Sequence, residues 1–160
     1  MRGGGSSIPE VQRLLAVLAS GKRCAELGTA FGEGAAAIAS TARSLVTTEV
    51  DPERSRIARK RLAGLPNVEF FEGDWRETLP PRGPFELVFL DAGGWRDDPR
   101  RKGQAAIDLL QPGGLLVKDD MTPGFRGPDP VREWLFDHPD LVATEVLTTP
   151  DTAAILATRR

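Results

Sequence analysis

Helical and strand patterns alternate along almost all of this chain, and that alternation commits it to an α/β sheet before any single residue is considered. Ile8, Val11, Leu14, Leu15 and Leu18 recur at helical spacing, Ser7 with Glu10 reads as a capping box, and Gly21 stops the helix. Strand-like runs follow at Cys24–Leu27, Ser44–Val50, Val68–Phe71, Phe85–Asp91 and Leu115–Lys118. Between them lie an Ala-rich helix over 34–42, a helix opened by Asp51-Pro52 and ending near Gly64, and one opened by Asp98-Pro99 and closed by Pro112-Gly113-Gly114. Asp129-Pro130 opens a last helix carrying Val131, Trp134 and Leu135. The final two runs, Leu141–Leu147 and Ala153–Thr158, have no helix between them, which requires an antiparallel hairpin. The expected architecture is a mostly parallel seven-stranded sheet with that hairpin at one edge.

The 160 residues suit one domain, expected over 8–160 behind a flexible leader at 1–7. With 17 glycines and 13 prolines the chain stays below the ~25–30% that marks disorder. Its 21 basic and 23 acidic side chains nearly cancel, which demotes nucleic acid and anionic membranes as partners. No apolar run approaches the ~18 residues of a membrane span, and the first residues lack the apolar centre of a signal peptide. The single cysteine, Cys24, cannot form an internal disulfide and sits in a strand expected to be buried. These features give a folded protein with a cytoplasmic expectation.

The segment Ala25-Glu26-Leu27-Gly28-Thr29-Ala30-Phe31-Gly32-Glu33-Gly34 runs a strand into a glycine-rich turn and then into a helix. Such a turn brings backbone close to a ligand and aims amides at it. A dinucleotide site would want G-x-G-x-x-G, but Ala30 and Glu33 occupy the second and third glycine positions. A second acid, Glu49, closes the next strand about 20 residues past Gly28, where a carboxylate accepts hydrogen bonds from ribose hydroxyls. A third station is Glu72-Gly73-Asp74-Trp75.

The pattern E-x-G-x-x-x-G-x-G with these stations resembles the class I S-adenosylmethionine-dependent methyltransferases, most closely the catechol-type and bacterial O-methyltransferases. The resemblance spans nearly all of residues 8–160 and implies their Rossmann-like sandwich. It implies that Glu26, Gly28, Thr29, Gly32 and Gly34 surround the methionine and ribose portions of S-adenosylmethionine. Glu49 would take the ribose, Val50 would lie against adenine, Gly73 and Asp74 would meet the adenine amino group, and Trp75 would form an aromatic wall. Asp91, also expected beside the cofactor, would join Asp119 and Asp120 in holding magnesium or another divalent cation.

Two departures qualify that reading. The lysine base expected three residues after Asp91 is replaced by Gly94, and Arg96 is a poor substitute because guanidinium keeps its proton. Asp91 and Lys118 are therefore the catalytic candidates. Only one helix precedes the first strand, so the site is expected to be open, to take a larger acceptor, or to be completed by a second copy in a homodimer. The expected activity is methyl transfer to a hydroxyl of a small-molecule acceptor. Three alternatives stay open: a cofactor-binding module that acts as a scaffold, a protein methyltransferase and an RNA methyltransferase. Arg54, Arg56, Arg59, Lys60 and Arg61 read as a solvated helix face, Arg96, Arg100, Arg101 and Lys102 as a basic rim able to attract an acidic acceptor, residues 121–127 as a small lid, and His138 as a helix cap.

Overall fold

The computed structural model describes residues 7–92 and 98–160. The expected leader over its first six residues, and Gly94, Trp95 and Arg96, lie outside the described residues. Helices α1 (Pro9–Ala19), α2 (Glu33–Ala39) and α3 (Pro52–Leu62) alternate with strands β1 (Arg23–Leu27), β2 (Ser44–Glu49) and β3 (Val68–Glu72). Then come a short helix α4 (Trp75–Thr78), a 3-10 turn (Pro80–Arg82), β4 (Phe85–Leu90), α5 (Pro99–Asp108), β5 (Leu110–Met121), α6 (Pro130–Asp137), β6 (Leu141–Thr149) and β7 (Thr152–Arg159). The strands form one sheet in the order β3-β2-β1-β4-β5-β7-β6. The first five are parallel, and β7 runs antiparallel to both β5 and β6.

Helices cover both faces, so the central strands are apolar without alternation. Along β4, Leu87 and Phe89 pack with Val11, Leu15 and Ile38 from α1 and α2. Val88 and Leu90 point the other way, among Trp75, Ala106, Ile107, Val131 and Leu135. On that second face α5 and α6 come very close: a Cβ at Gly103 would lie 2.3 Å from the Trp134 ring, so only glycine fits there. Cys24 is fully buried, and burial pushes its thiol up to about 12, as expected of inert packing. Among the described residues no helix is long and apolar enough to cross a membrane.

The structure departs from the sequence reading in three places. Ile8, not Ser7, caps α1, with no side-chain hydrogen bond, and the buried Ser7 hydroxyl has no hydrogen-bond partner among the described residues. Pro9 at the first helical position supplies the fixed φ that starts the helix instead. Pro112-Gly113-Gly114 does not end α5, which stops at Asp108; it lies inside β5, where the pairing with β4 shifts register. The short helix α4 is not legible from periodicity.

Asp51 caps α3 as expected, its Oδ1 accepting from the amides of Glu53 at 2.9 Å and Arg54 at 3.0 Å. Asp51→Ala is expected to lower stability by about 0.5–2 kcal/mol, read by urea denaturation, because it orphans both amides.

Candidate functional site

The five parallel strands end on one side of the sheet, and a cleft of about 310 Å³ opens there, beyond β1, β2, β3 and β4. This is where open α/β sheets bind ligands. Its lining includes Gly28, Ala30, Glu49, Val50, Gly73, Asp74, Trp75 and Asp91, all of which come from the sequence motifs.

The turn after β1 is held by three consecutive residues of β2. The amides of Gly28 and Thr29 donate to the Thr48 carbonyl at 3.1 and 3.0 Å. The Thr47 hydroxyl meets that of Thr29 at 2.5 Å, and the Ala30 amide donates to Glu49 Oε2 at 2.8 Å. Gly28 lies at φ +92°, a region that side chains avoid, and a Cβ there would stand 3.2 Å from the backbone of Ala92. Gly32 caps α2 at φ +89°, close against Ala58 of α3. Gly34 serves packing: a Cβ would sit 2.7 Å from Glu26 Oε1 and 3.3 Å from Phe89.

Glu26 is 1% exposed and lies beneath the turn, outside the cleft lining. Burial raises its carboxyl to about 8, partly opposed by the hydrogen bond that the Thr47 hydroxyl donates to Oε2 at 2.5 Å. The buried Glu49 accepts from Ala30 through one oxygen and from the Asp51 amide at 2.9 Å through the other. A carboxylate has lone pairs left for further donors.

The next residue, Val50, is 64% exposed although it lines the cleft. An apolar side chain left bare on a cleft wall offers a surface to a flat apolar ligand. Trp75, also in the lining, is mostly buried in the core. Asp74 caps α4 through the Arg76 amide at 2.9 Å and forms an ion pair with the Arg76 guanidinium, which holds its carboxyl below the usual range.

Asp91 follows β4, its amide donating to the Leu27 carbonyl at 3.2 Å. Burial, then the negative charges of Asp120 and Asp119, raise its carboxyl to about 7. Asp119 is buried and likewise shifted up by burial, whereas Asp120 is exposed at φ +61°. The expected metal trio does not assemble: no three His, Cys, Asp or Glu side chains among the described residues form a group that could hold an ion. The pairing of β5 with β7 shifts register here, and Asp119 is buried while Asp120 stands exposed. Lys118 donates through Nζ to the Asp119 carbonyl and is not part of the cleft lining.

Three cations also line the cleft: Arg54, Arg76 and Lys102. Arg54 corrects the solvated-face reading of α3, since its guanidinium stands 5.9 Å from the centre of the Phe31 ring. Arg59 lies over Phe70, and Arg61 pairs with Glu33. Nothing in the motif pattern singled out Arg54 or Arg76; the nearest signal is their closeness to Val50 and Asp74. His138 ends α6 as expected, its Nδ1 accepting from the Asp140 amide at 3.1 Å.

The family model described as "Methyltransferase domain" matches residues 25–121. A protein-L-isoaspartate O-methyltransferase from Azorhizobium caulinodans is 31% identical over 126 residues, covering 76% of this chain and 54% of that protein. "Probable O-methyltransferase Rv1220c" from Mycobacterium tuberculosis is 32% identical over 140 residues, 80% of this chain and 62% of its own. The chain thus spans about half to three fifths of the length of these curated relatives. Among solved structures, the O-methyltransferase TomG from Streptomyces achromogenes, in complex with S-adenosylmethionine, superposes with a TM-score of 0.78 at 26% identity, covering 99% of this chain and 83% of that one.

Proposed function

The chain belongs to the class I S-adenosylmethionine-dependent methyltransferases of the O-methyltransferase type, and from that membership we propose that it moves the methyl group of S-adenosylmethionine to a hydroxyl of a small-molecule acceptor. The observation that carries this reading is the pairing of Glu49 with the bare Val50 at the mouth of β2, beside a turn whose Gly28 leaves no room for a side chain. The residues present fit an adenosine moiety: Val50 and Trp75 offer apolar surface to adenine, and Glu49 retains acceptor capacity for ribose hydroxyls. Bound in this cleft, the cofactor supplies an electrophilic methyl on a sulfonium.

In the transfer, the acceptor oxygen–carbon bond forms as the sulfur–carbon bond breaks, and the hydroxyl proton leaves to a base. Asp91 takes that part. It lines the cleft, and its burial among acids holds its proton affinity near that of a group poised at neutral pH. The rest of the catalysis is alignment, which the rigid strand ends provide. No step is routed through a metal ion, because the aspartates do not group to hold one. A second reading, methylation of a protein carboxyl, is favoured by the likeness to the isoaspartate methyltransferase.

Calorimetric titration with S-adenosylhomocysteine, with and without magnesium, tests the proposal. Binding indifferent to magnesium is expected; absence of binding under both conditions would sink it. Transfer of a labelled methyl group to a panel of hydroxylated small molecules, with an isoaspartyl peptide in parallel, separates the two acceptor readings. Glu49→Ala is expected to weaken S-adenosylhomocysteine binding by about 1–3 kcal/mol, since it removes the ribose acceptor and leaves the Ala30 amide unpaired. Unchanged affinity in that variant would remove Glu49 from the role.

A further inference from the structure

The cofactor turn is stapled to β2 residue by residue, and the first staple is a side chain that is not part of the cleft lining. Thr47 is fully buried, Thr29 is nearly so, and the two hydroxyls lie 2.5 Å apart. Thr47 in turn donates to Glu26 Oε2 at 2.5 Å. A hydroxyl has one proton. With Thr47 donating to Glu26, the Thr29–Thr47 bond is made by the proton of Thr29. Thr29, Thr47 and Glu26 therefore form one buried hydrogen-bonded chain. The Thr29 side chain is buried with it and is not part of the cleft lining.

Resting on the function proposed above, we infer that Thr47 is a positioning residue for S-adenosylmethionine, fixing the Gly28–Ala30 turn from below through Thr29 and anchored on Glu26. The neighbouring staples use backbone carbonyl and carboxylate groups on Thr48 and Glu49. Thr47 alone holds the turn by its own hydroxyl. Without it Thr29 loses its acceptor in a place with no access to water, and its side chain must find another rotamer or drag the turn with it.

The test uses the full chain with Thr47→Val, which keeps the β-branched shape, and Thr47→Ser, which keeps the hydroxyl. S-adenosylhomocysteine affinity is measured by calorimetry well below each variant's melting temperature. Thr47→Val is expected to bind about tenfold more weakly, in line with one lost buried hydrogen bond, and Thr47→Ser to recover to within about threefold of the wild type. Thr29→Val gives the same loss, and the double variant Thr29→Val with Thr47→Val no more than either alone, because one chain is broken in each case. Should Thr47→Val fail to fold, Thr29→Val with rescue by Thr29→Ser carries the test. Unchanged affinity in the valine variants, no rescue by serine, or additive losses in the double variant would overturn the inference. A wild type that binds while Thr47→Val binds equally well overturns only this inference; a wild type that gives no heat overturns the function it rests on as well.

Discussion

Gly28→Val is expected to abolish measurable S-adenosylhomocysteine binding and to lower stability by about 2–4 kcal/mol, from left-handed backbone strain and crowding together. The residue lies at φ +92°, and any side chain would grow from a Cβ 3.2 Å from both the amide nitrogen and the Cα of Ala92. Ala92 is backbone beside Asp91, so the crowding cannot be relieved by a side-chain rotamer change. It must be relieved by spreading the ends of β1 and β4, the floor of the cleft. Gly64→Ala is the control. That glycine has no atom within 4 Å of its would-be Cβ and no positive φ, so binding and stability should hold. Retained affinity in Gly28→Val would mean that the turn is not where the ligand lies.

The second large effect is a dependence of stability on pH that Glu26→Gln removes. Folding raises the Glu26 carboxyl from 4.5 to about 8, so between these values the folded chain keeps a proton that the unfolded chain releases. Stability therefore falls as pH rises through that window and levels off above it. At about 1.4 kcal/mol per unit the loss from this one group reaches at most about 4–5 kcal/mol. Asp91 and Asp119 are shifted in the same direction and add slope of the same sign. Glutamine is neutral at every pH and its amide oxygen can still accept from Thr47. Denaturant unfolding between pH 5 and pH 9 should show a shallower decline for Glu26→Gln by about one proton, and a more stable variant than wild type at pH 9. Parallel curves for the two proteins would show that Glu26 is already ionised in the folded chain.

How much of this was legible in the sequence follows from where each signal resides. Strand and helix identities came from periodicity and from Asp-Pro caps, which act locally, and the succession of seven strands along the chain was readable for that reason. Asp51 shows this directly, since its cap depends on nothing beyond Arg54. Ser7 shows the opposite. A hydroxyl followed three residues later by glutamate has the spacing of a capping box, but Pro9 starts the helix and leaves Ser7 buried against the space beside Gly34.

The cleft lining was legible where motif and chain position coincide, as at Gly28, Glu49, Val50 and Asp74. Lys102, read as part of a basic rim, does reach the lining from α5, but Arg54 was not legible, because it arrives from a helix face that reads as solvated. The aspartates after β4 and β5 were legible as strand-end acids, but their mutual placement was not, because it depends on the positive φ of Asp120 and the register shift beside it. Glu26 was grouped with the ligand contacts by its motif, whereas tertiary packing puts it under the turn.

The place of β7 has a consequence for the order of assembly. β6 precedes β7 in the chain yet stands outside it, at the edge of the sheet, and has no pairing with β5. When the chain leaves α6, therefore, β6 has no neighbour to join; its only partner is the segment that follows. The turn between Thr149 and Thr152 makes that pairing local and fast, while β7 must still find β5 across more than thirty residues of chain. The hairpin is thus expected to form as a unit and dock through its second strand, so that amides of β5 facing β7 gain protection from hydrogen exchange only after those within the hairpin.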